Sequence, residues 1–252
     1  MKTLYCIIGN LRAGDWPVES FTEHLKDDEM DVALYVGDTY PESKWRDIAK
    51  YIWEVDETIN WWETEYDNYI DDWRDWKLKG NIFGPSGGGG SGMIIVAFRQ
   101  MLLRKLKKIE KYERYVLARA DQVFTHNELP DVKSNSVFIP DAKNYRWGGV
   151  TDRFMVADYR SFLKSLDVLP TLKKLGDGNY PDNVEQLLEI HYTELGLDIC
   201  DISRFMYCVG RDNEQTRWRK PKMRKPAQRQ GYFLKYVSEY KDAIARKEKL
   251  NK

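Results

Sequence analysis

Two short apolar runs, separated by one amphipathic helix, constrain this chain most. Residues 3–8 form a run of strand length, and Gly9-Asn10 breaks it. Val18, Phe21 and Leu25 then recur at helical spacing, and residues 32–36 form the second run. A strand that is apolar on both faces must be covered on both, which predicts parallel strands with helices packed over them. The rest of the chain continues the pattern. Residues 93–106 read as a helix, 115–117 and 123–124 as strands around Arg119-Ala120-Asp121, and 136–139 as a strand ending at Pro140. Helices follow at 158–167 and 183–195, the second with Val184, Leu187, Leu188 and His191 on one stripe. Two hairpin-like strands at 197–201 and 204–209 and a helix over 231–249 close the chain. The reading is one α/β domain with a mixed, mostly parallel central sheet flanked by helices over residues 1–210. Residues 211–252 add a basic segment and a C-terminal helix packed on it.

Charge enters as a local rather than a net property. The 252 residues hold 40 Lys plus Arg against 40 Asp plus Glu, so the net basic footprint of a nucleic-acid binder is absent. Residues 53–76 nevertheless carry nine acids and one arginine, interleaved with Trp53, Trp61, Trp62, Trp73 and Trp76. They predict an acidic, aromatic helix or pair of helices, with most tryptophans buried and one or two lining a cleft. Residues 217–229 carry seven Lys or Arg and no acid. That run opens a second function class, an RNA- or phosphate-binding module, although a basic segment packed against the acidic block explains it equally simply.

Cys6, Cys200 and Cys208 form no CxxC pair, which favours a reducing compartment. The first residues lack the apolar core and cleavage site of a signal peptide. The longest apolar run elsewhere, residues 93–98, falls far short of the roughly 20 residues a membrane span needs. The expectation is a soluble, cytoplasmic protein.

Three places have the residue types of a reactive site. Asp121 follows a buried strand, and the carboxyl edge of a parallel strand is where open α/β sheets bind ligands; there a carboxylate can hold Mg2+ or Mn2+. It could equally cap a turn or pair with Arg119. In Gly148-Gly149-Val150-Thr151-Asp152-Arg153, the glycines permit close backbone approach, and Asp152 is placed to act as a general base with Arg153 orienting its charge. A salt bridge locking the loop is the plainer explanation. Gly9-Asn10-Leu11-Arg12 follows the first strand, where a nucleotide meets a doubly wound sheet, but it is not a GxGxxG dinucleotide motif. Residues 84–92, rich in glycine and ending in Ser91-Gly92, have the composition of a flexible linker. Running into a helix N-terminus, they also suit a native anion-holding loop, and that reading is preferred.

Taken in order, Gly9–Arg12, the Ser91-Gly92-led helix bearing Arg99, Arg119-Ala120-Asp121, the 140–154 segment with its GGVTDRF ending, and Asn183-x-Glu185-x-Leu187-Leu188 resemble a group of small GT-A glycosyltransferases found in large algal viruses, algae and some microbes. The resemblance covers residues 3–210. It implies a GT-A-like domain that transfers a sugar from a UDP- or GDP-linked donor to a glycan or other hydroxyl acceptor. It further implies a donor site formed by Gly9, Asn10, Arg12, Ser91, Gly92, Arg99, Arg119, Asp121, Gly148 and Gly149. Asp121 would be the metal ligand for Mn2+ or Mg2+, and Asp152 and Arg153 the catalytic pair. The chain departs from the family's D-x-D motif, because Arg119 stands at the first acidic position. Arg119 and Arg99 would then share the diphosphate charge. His191 is a candidate late metal ligand by position and a core histidine by its apolar stripe, and Trp147 is placed for sugar contact.

Overall fold

The structure, a computed structural model, describes residues 1–57, 59, 61–71, 73, 91–140, 148–175, 181, 183–212 and 225–252. The opening unit is β1 (Thr3–Gly9), α1 (Trp16–His24) and β2 (Met30–Gly37). β1 alternates strictly: Leu4, Cys6 and Ile8 enter the core on one face, and Tyr5 and Ile7 the core on the other. This is how a run apolar at every position satisfies a pleat of period two.

Next come α2 (Trp45–Ile48), β3 (Tyr51–Val55), α3 (Trp61–Asp67), α4 (Ser91–Leu106), β4 (Arg114–Arg119), β5 (Gln122–Phe124), β6 (Ser136–Pro140) and β7 (Phe154–Ala157). α5 (Tyr159–Leu166), α6 (Leu169–Leu175), α7 (Val184–Glu194), β8 (Asp198–Ile202), β9 (Met206–Arg211), β10 (Lys225–Pro226), β11 (Tyr232–Leu234) and α8 (Val237–Leu250) complete the order. The central sheet runs β3-β2-β1-β4-β7-β6-β8. Its described strands are parallel at every pairing except those of β7, which is antiparallel to both β4 and β6. A second, antiparallel sheet runs β10-β11-β9-β5.

The layers follow from the side chains. Met93, Val96, Ala97 and Leu102 of α4, with Phe162 of α5 and Leu187 and Leu188 of α7, cover one face of the central sheet. Val18 and Phe21 of α1, Trp45 of α2 and Phe124 of β5 cover the other. α8 lies outside the second sheet, on a small core of Val123, Tyr207, Val209, Leu234 and Ala243. No described helix is long and apolar enough to cross a membrane.

Several expectations change here. Residues 53–57 are not helical: Trp53 sits on β3, whose side chains alternate between half-buried and exposed as in an edge strand. β8 and β9 do not form a hairpin, because β8 pairs in parallel with β6 while β9 crosses into the second sheet. Phe205, between them, is buried in the intervening core. The closing helix starts at Val237 rather than 231, since Tyr232–Leu234 pair with β9 as a strand.

Candidate active site

The carboxyl ends of β1 and β4 open onto a cleft of about 370 Å³. β1 leaves its sheet through Gly9, whose φ of +106° lies in the region that side chains other than hydrogen strain. The turn is then fixed by Asn10. Its Oδ1 accepts from the Arg12 N–H at 2.8 Å and its amide donates to Glu57 Oε1 at 2.6 Å. Gly9, Asn10, Arg12 and Glu57 therefore form one polar side of the cleft. Trp61, Trp62, Ile94, Ile95 and Phe98 form an apolar side, with Trp61 against Phe98 at a ring-centroid distance of 4.6 Å. Arg119, Asp121 and Asp152 close the remainder.

Asp121 is the most tightly held acid of the site. Arg119 grips it bidentately, Nε to Oδ1 at 3.0 Å and Nη2 to Oδ2 at 2.7 Å. The Lys235 ammonium donates to Oδ2 at 2.9 Å. Burial alone pushes a carboxylic acid toward its neutral form, but Arg119 and Lys235 overcome this and hold Asp121 far below the usual carboxylate range. Lys235 was not visible as a site residue in the sequence. It lies 114 positions from Asp121 and arrives on the strand-to-helix junction after β11, its own N–H bonded to Cys208 O at 3.0 Å.

This donor set does not fit the Mn2+ or Mg2+ expected on Asp121. Both carboxylate oxygens already serve cations, and two unit charges of one sign at 4 Å oppose each other by roughly 4 kcal/mol at a surface-like dielectric. A divalent ion would meet that repulsion twice over from each cation. Among the described residues no three His, Cys, Asp or Glu side chains stand together as a metal group. His191 is likewise no ligand: its ring lies in the core, Nδ1 2.8 Å from Thr171 Oγ1 and Nε2 3.0 Å from the Lys164 carbonyl.

Of the other predicted residues, some stand behind the cleft rather than in it. Arg99 is wholly buried and does not line it; its guanidinium donates to the Tyr192 hydroxyl at 3.1 Å and to the Asp152 carbonyl at 3.3 Å. It braces the Asp152 loop from inside, so it is not placed to share a diphosphate charge. Arg153 touches Asp152 only at 3.8 Å and turns its Nη1 to Glu239 of α8 at 2.8 Å. Gly148 and Gly149 face α7: Val150 N–H donates to Glu185 O, and a Cβ on Gly149 would lie 2.3 Å from the Glu185 carbonyl carbon. Asn183 caps that same helix, accepting from Gln186 N–H at 2.9 Å. The GGVTDR and N-x-E-x-L-L segments are thus two halves of one packing joint. Gly149→Ala is expected to destabilise the fold by about 1–3 kcal/mol from its left-handed backbone alone, before the clash is counted, as a thermal melt would show. Ser91 and Gly92 open α4, and Ile94 and Ile95 of that helix reach the cleft wall. Trp147, Trp76, residues 84–90 and most of the basic 217–229 run lie outside the described residues.

No protein-family model matches the chain, and no curated protein matches it. Among solved structures it is similar to the apo form of mouse xyloside xylosyltransferase 1. That likeness has 10% sequence identity and a TM-score of 0.42, over 80% of this chain and 85% of that one. The strand order and the single reversed strand, β7, are consistent with a GT-A-like fold.

Proposed function

We propose that the chain transfers a sugar from a nucleoside-diphosphate donor to a hydroxyl acceptor, a glycan being the preferred class. One observation carries this reading: Arg12, Arg119 and Asp152 converge on one cleft at the carboxyl ends of parallel strands. The five sequence segments that resemble small GT-A glycosyltransferases add to it. Asn10 and Arg12 lie where a donor nucleotide meets the first strand. In this reading Arg119, on the cleft wall, meets the leaving diphosphate, and the apolar side formed by Trp61 and Phe98 offers flat faces for a base or sugar ring.

In a single displacement the acceptor oxygen forms a bond to the anomeric carbon while the bond from that carbon to the diphosphate oxygen breaks. The electron pair stays on the diphosphate, and the hydroxyl proton passes to the Asp152 carboxylate. Fixed positive groups at the diphosphate stabilise the charge that develops there without needing to reorganise.

The test is a panel of UDP- and GDP-sugars, assayed for hydrolysis and for transfer to simple glycoside acceptors. Turnover of one donor class supports the reading. Failure of every UDP- and GDP-sugar to bind the folded protein would overturn it.

A further inference from the structure

We infer that the cleft binds the donor diphosphate without a divalent cation, through Arg119 held on Asp121, with Lys235 as the second cation that offsets the charge of that acid. This rests on the glycosyltransferase reading above and deepens it. Charge arithmetic is the first support. A carboxylate with one divalent ion presents a net single positive charge, and so do one carboxylate, one guanidinium and one ammonium. Arg119 and Asp121 line the cleft, and Lys235, outside that lining, is bonded to Asp121, so the three together carry the same formal charge that a metal-loaded acid would.

Geometry is the second support. Asp121 uses two of the five N–H donors of Arg119, whose side chain lies along the cleft. The carboxylate is buried, its side chain 6% exposed, whereas Arg119 is 27% and Lys235 14% exposed. Asp121 thus reaches the cleft beside Arg119 but is largely covered, with both carboxylate oxygens engaged by the two cations. Its role is positioning: it holds two long, flexible side chains in place and lowers the entropy that Arg119 would lose on meeting a phosphate. Both cations are fixed at the backbone too. Arg119 N–H donates to Gln122 Oε1 at 2.9 Å, and Lys235 N–H donates to Cys208 O on β9, the strand paired with β5. The departure from the D-x-D pattern then has a physical meaning, since the first acid is replaced by one of the cations that make the metal unnecessary.

The experiment is calorimetric titration of the full chain with UDP and GDP, and with UMP and GMP, in excess EDTA and again with Mn2+. The expected result is diphosphate affinity that EDTA leaves unchanged. Lys235→Met is expected to weaken UDP or GDP binding about tenfold, because Asp121 then keeps an uncompensated negative charge beside Arg119, with a smaller effect on the monophosphates. With Lys235 gone, Asp121 loses a cation, and Mn2+ is expected to restore part of the lost affinity. If EDTA weakens wild-type diphosphate binding tenfold and Mn2+ restores it, the inference is overturned while the glycosyltransferase reading stands. If neither nucleotide binds under either condition, both fall. The wild-type EDTA comparison needs no variant, so it decides the matter even if Lys235→Met proves too unstable to titrate.

Discussion

Asp152→Asn is expected to lower sugar transfer about 10²–10⁴-fold, the range that a positioned general base supplies. The amide keeps the size of the side chain but cannot take up the acceptor proton. The Asp152 backbone carbonyl is held by Arg99 Nη2 at 3.3 Å, an anchor that the substitution leaves in place, whereas the charge facing Arg153 Nε at 3.8 Å is lost, so a thermal melt of the variant accompanies the rate measurement. Nucleotide binding, read by calorimetry, should be unchanged, because Arg12, Arg119 and Lys235 are untouched. A variant that keeps most of its transfer rate while binding donor and acceptor normally would remove Asp152 from the role. Arg99→Met offers the contrasting case: the effect should appear as lost stability together with a misplaced Asp152, since Arg99 meets no ligand.

The parts of the fold legible in the sequence are those whose signal is local. β1, β2 and β4 are buried on both faces, so their composition alone marks them as strands. α4 and α7 carry apolar residues at helical spacing for three turns or more, and both are where the periodicity puts them. β3 and β11 escaped notice for the opposite reason. β3 is an edge strand exposing alternate residues, and β11 is three residues long and takes its identity from the β9 register rather than from its own pattern.

The candidate site divides in the same way. Asn10, Arg12, Arg119, Asp121 and Asp152 stand next to strand ends, so position along the chain already places them near the cleft. Lys235 stands next to nothing informative in sequence. Its partner is 114 residues away, and only the pairing of β11 with β9 and of β9 with β5 brings the two together. Arg99, Gly148 and Gly149 show the converse error. Each is a residue type suited to a phosphate site, yet each is used against protein, Arg99 on the Asp152 carbonyl and Gly149 on the first turn of α7. Residue type and spacing announced that something must approach closely there. They did not say whether it was ligand or helix.

The largest stability effect is expected from Glu239→Ala on α8. Glu239 is 5% exposed and sits between Arg153 and Arg204, each 4% exposed, with its Oε1 at 2.8 Å from Arg153 Nη1 and 3.4 Å from Arg204 Nη1. Asp152 lies on the far side of Arg153, so that arginine has an acid on either side. Removing Glu239 takes a buried acid from between two buried arginines, a change that costs about 3–5 kcal/mol. The Arg153–Glu239 pair also joins the Asp152 loop to the C-terminal helix, an attachment that Arg153 reinforces by stacking its guanidinium 4.1 Å from the Tyr236 ring centre. Tyr236 adjoins Lys235, so loosening α8 should loosen the cation on Asp121. Glu239→Ala is therefore expected to lower both the denaturation midpoint and the affinity for a nucleoside diphosphate. Glu248→Ala, on the exposed side of the same helix, should change stability by no more than about 0.5 kcal/mol. A Glu239→Ala variant as stable as Glu248→Ala would mean that α8 is held by its apolar contacts with Tyr207 and Val209 alone. Normal stability with lost nucleotide affinity would instead mean that Glu239 serves to aim Lys235.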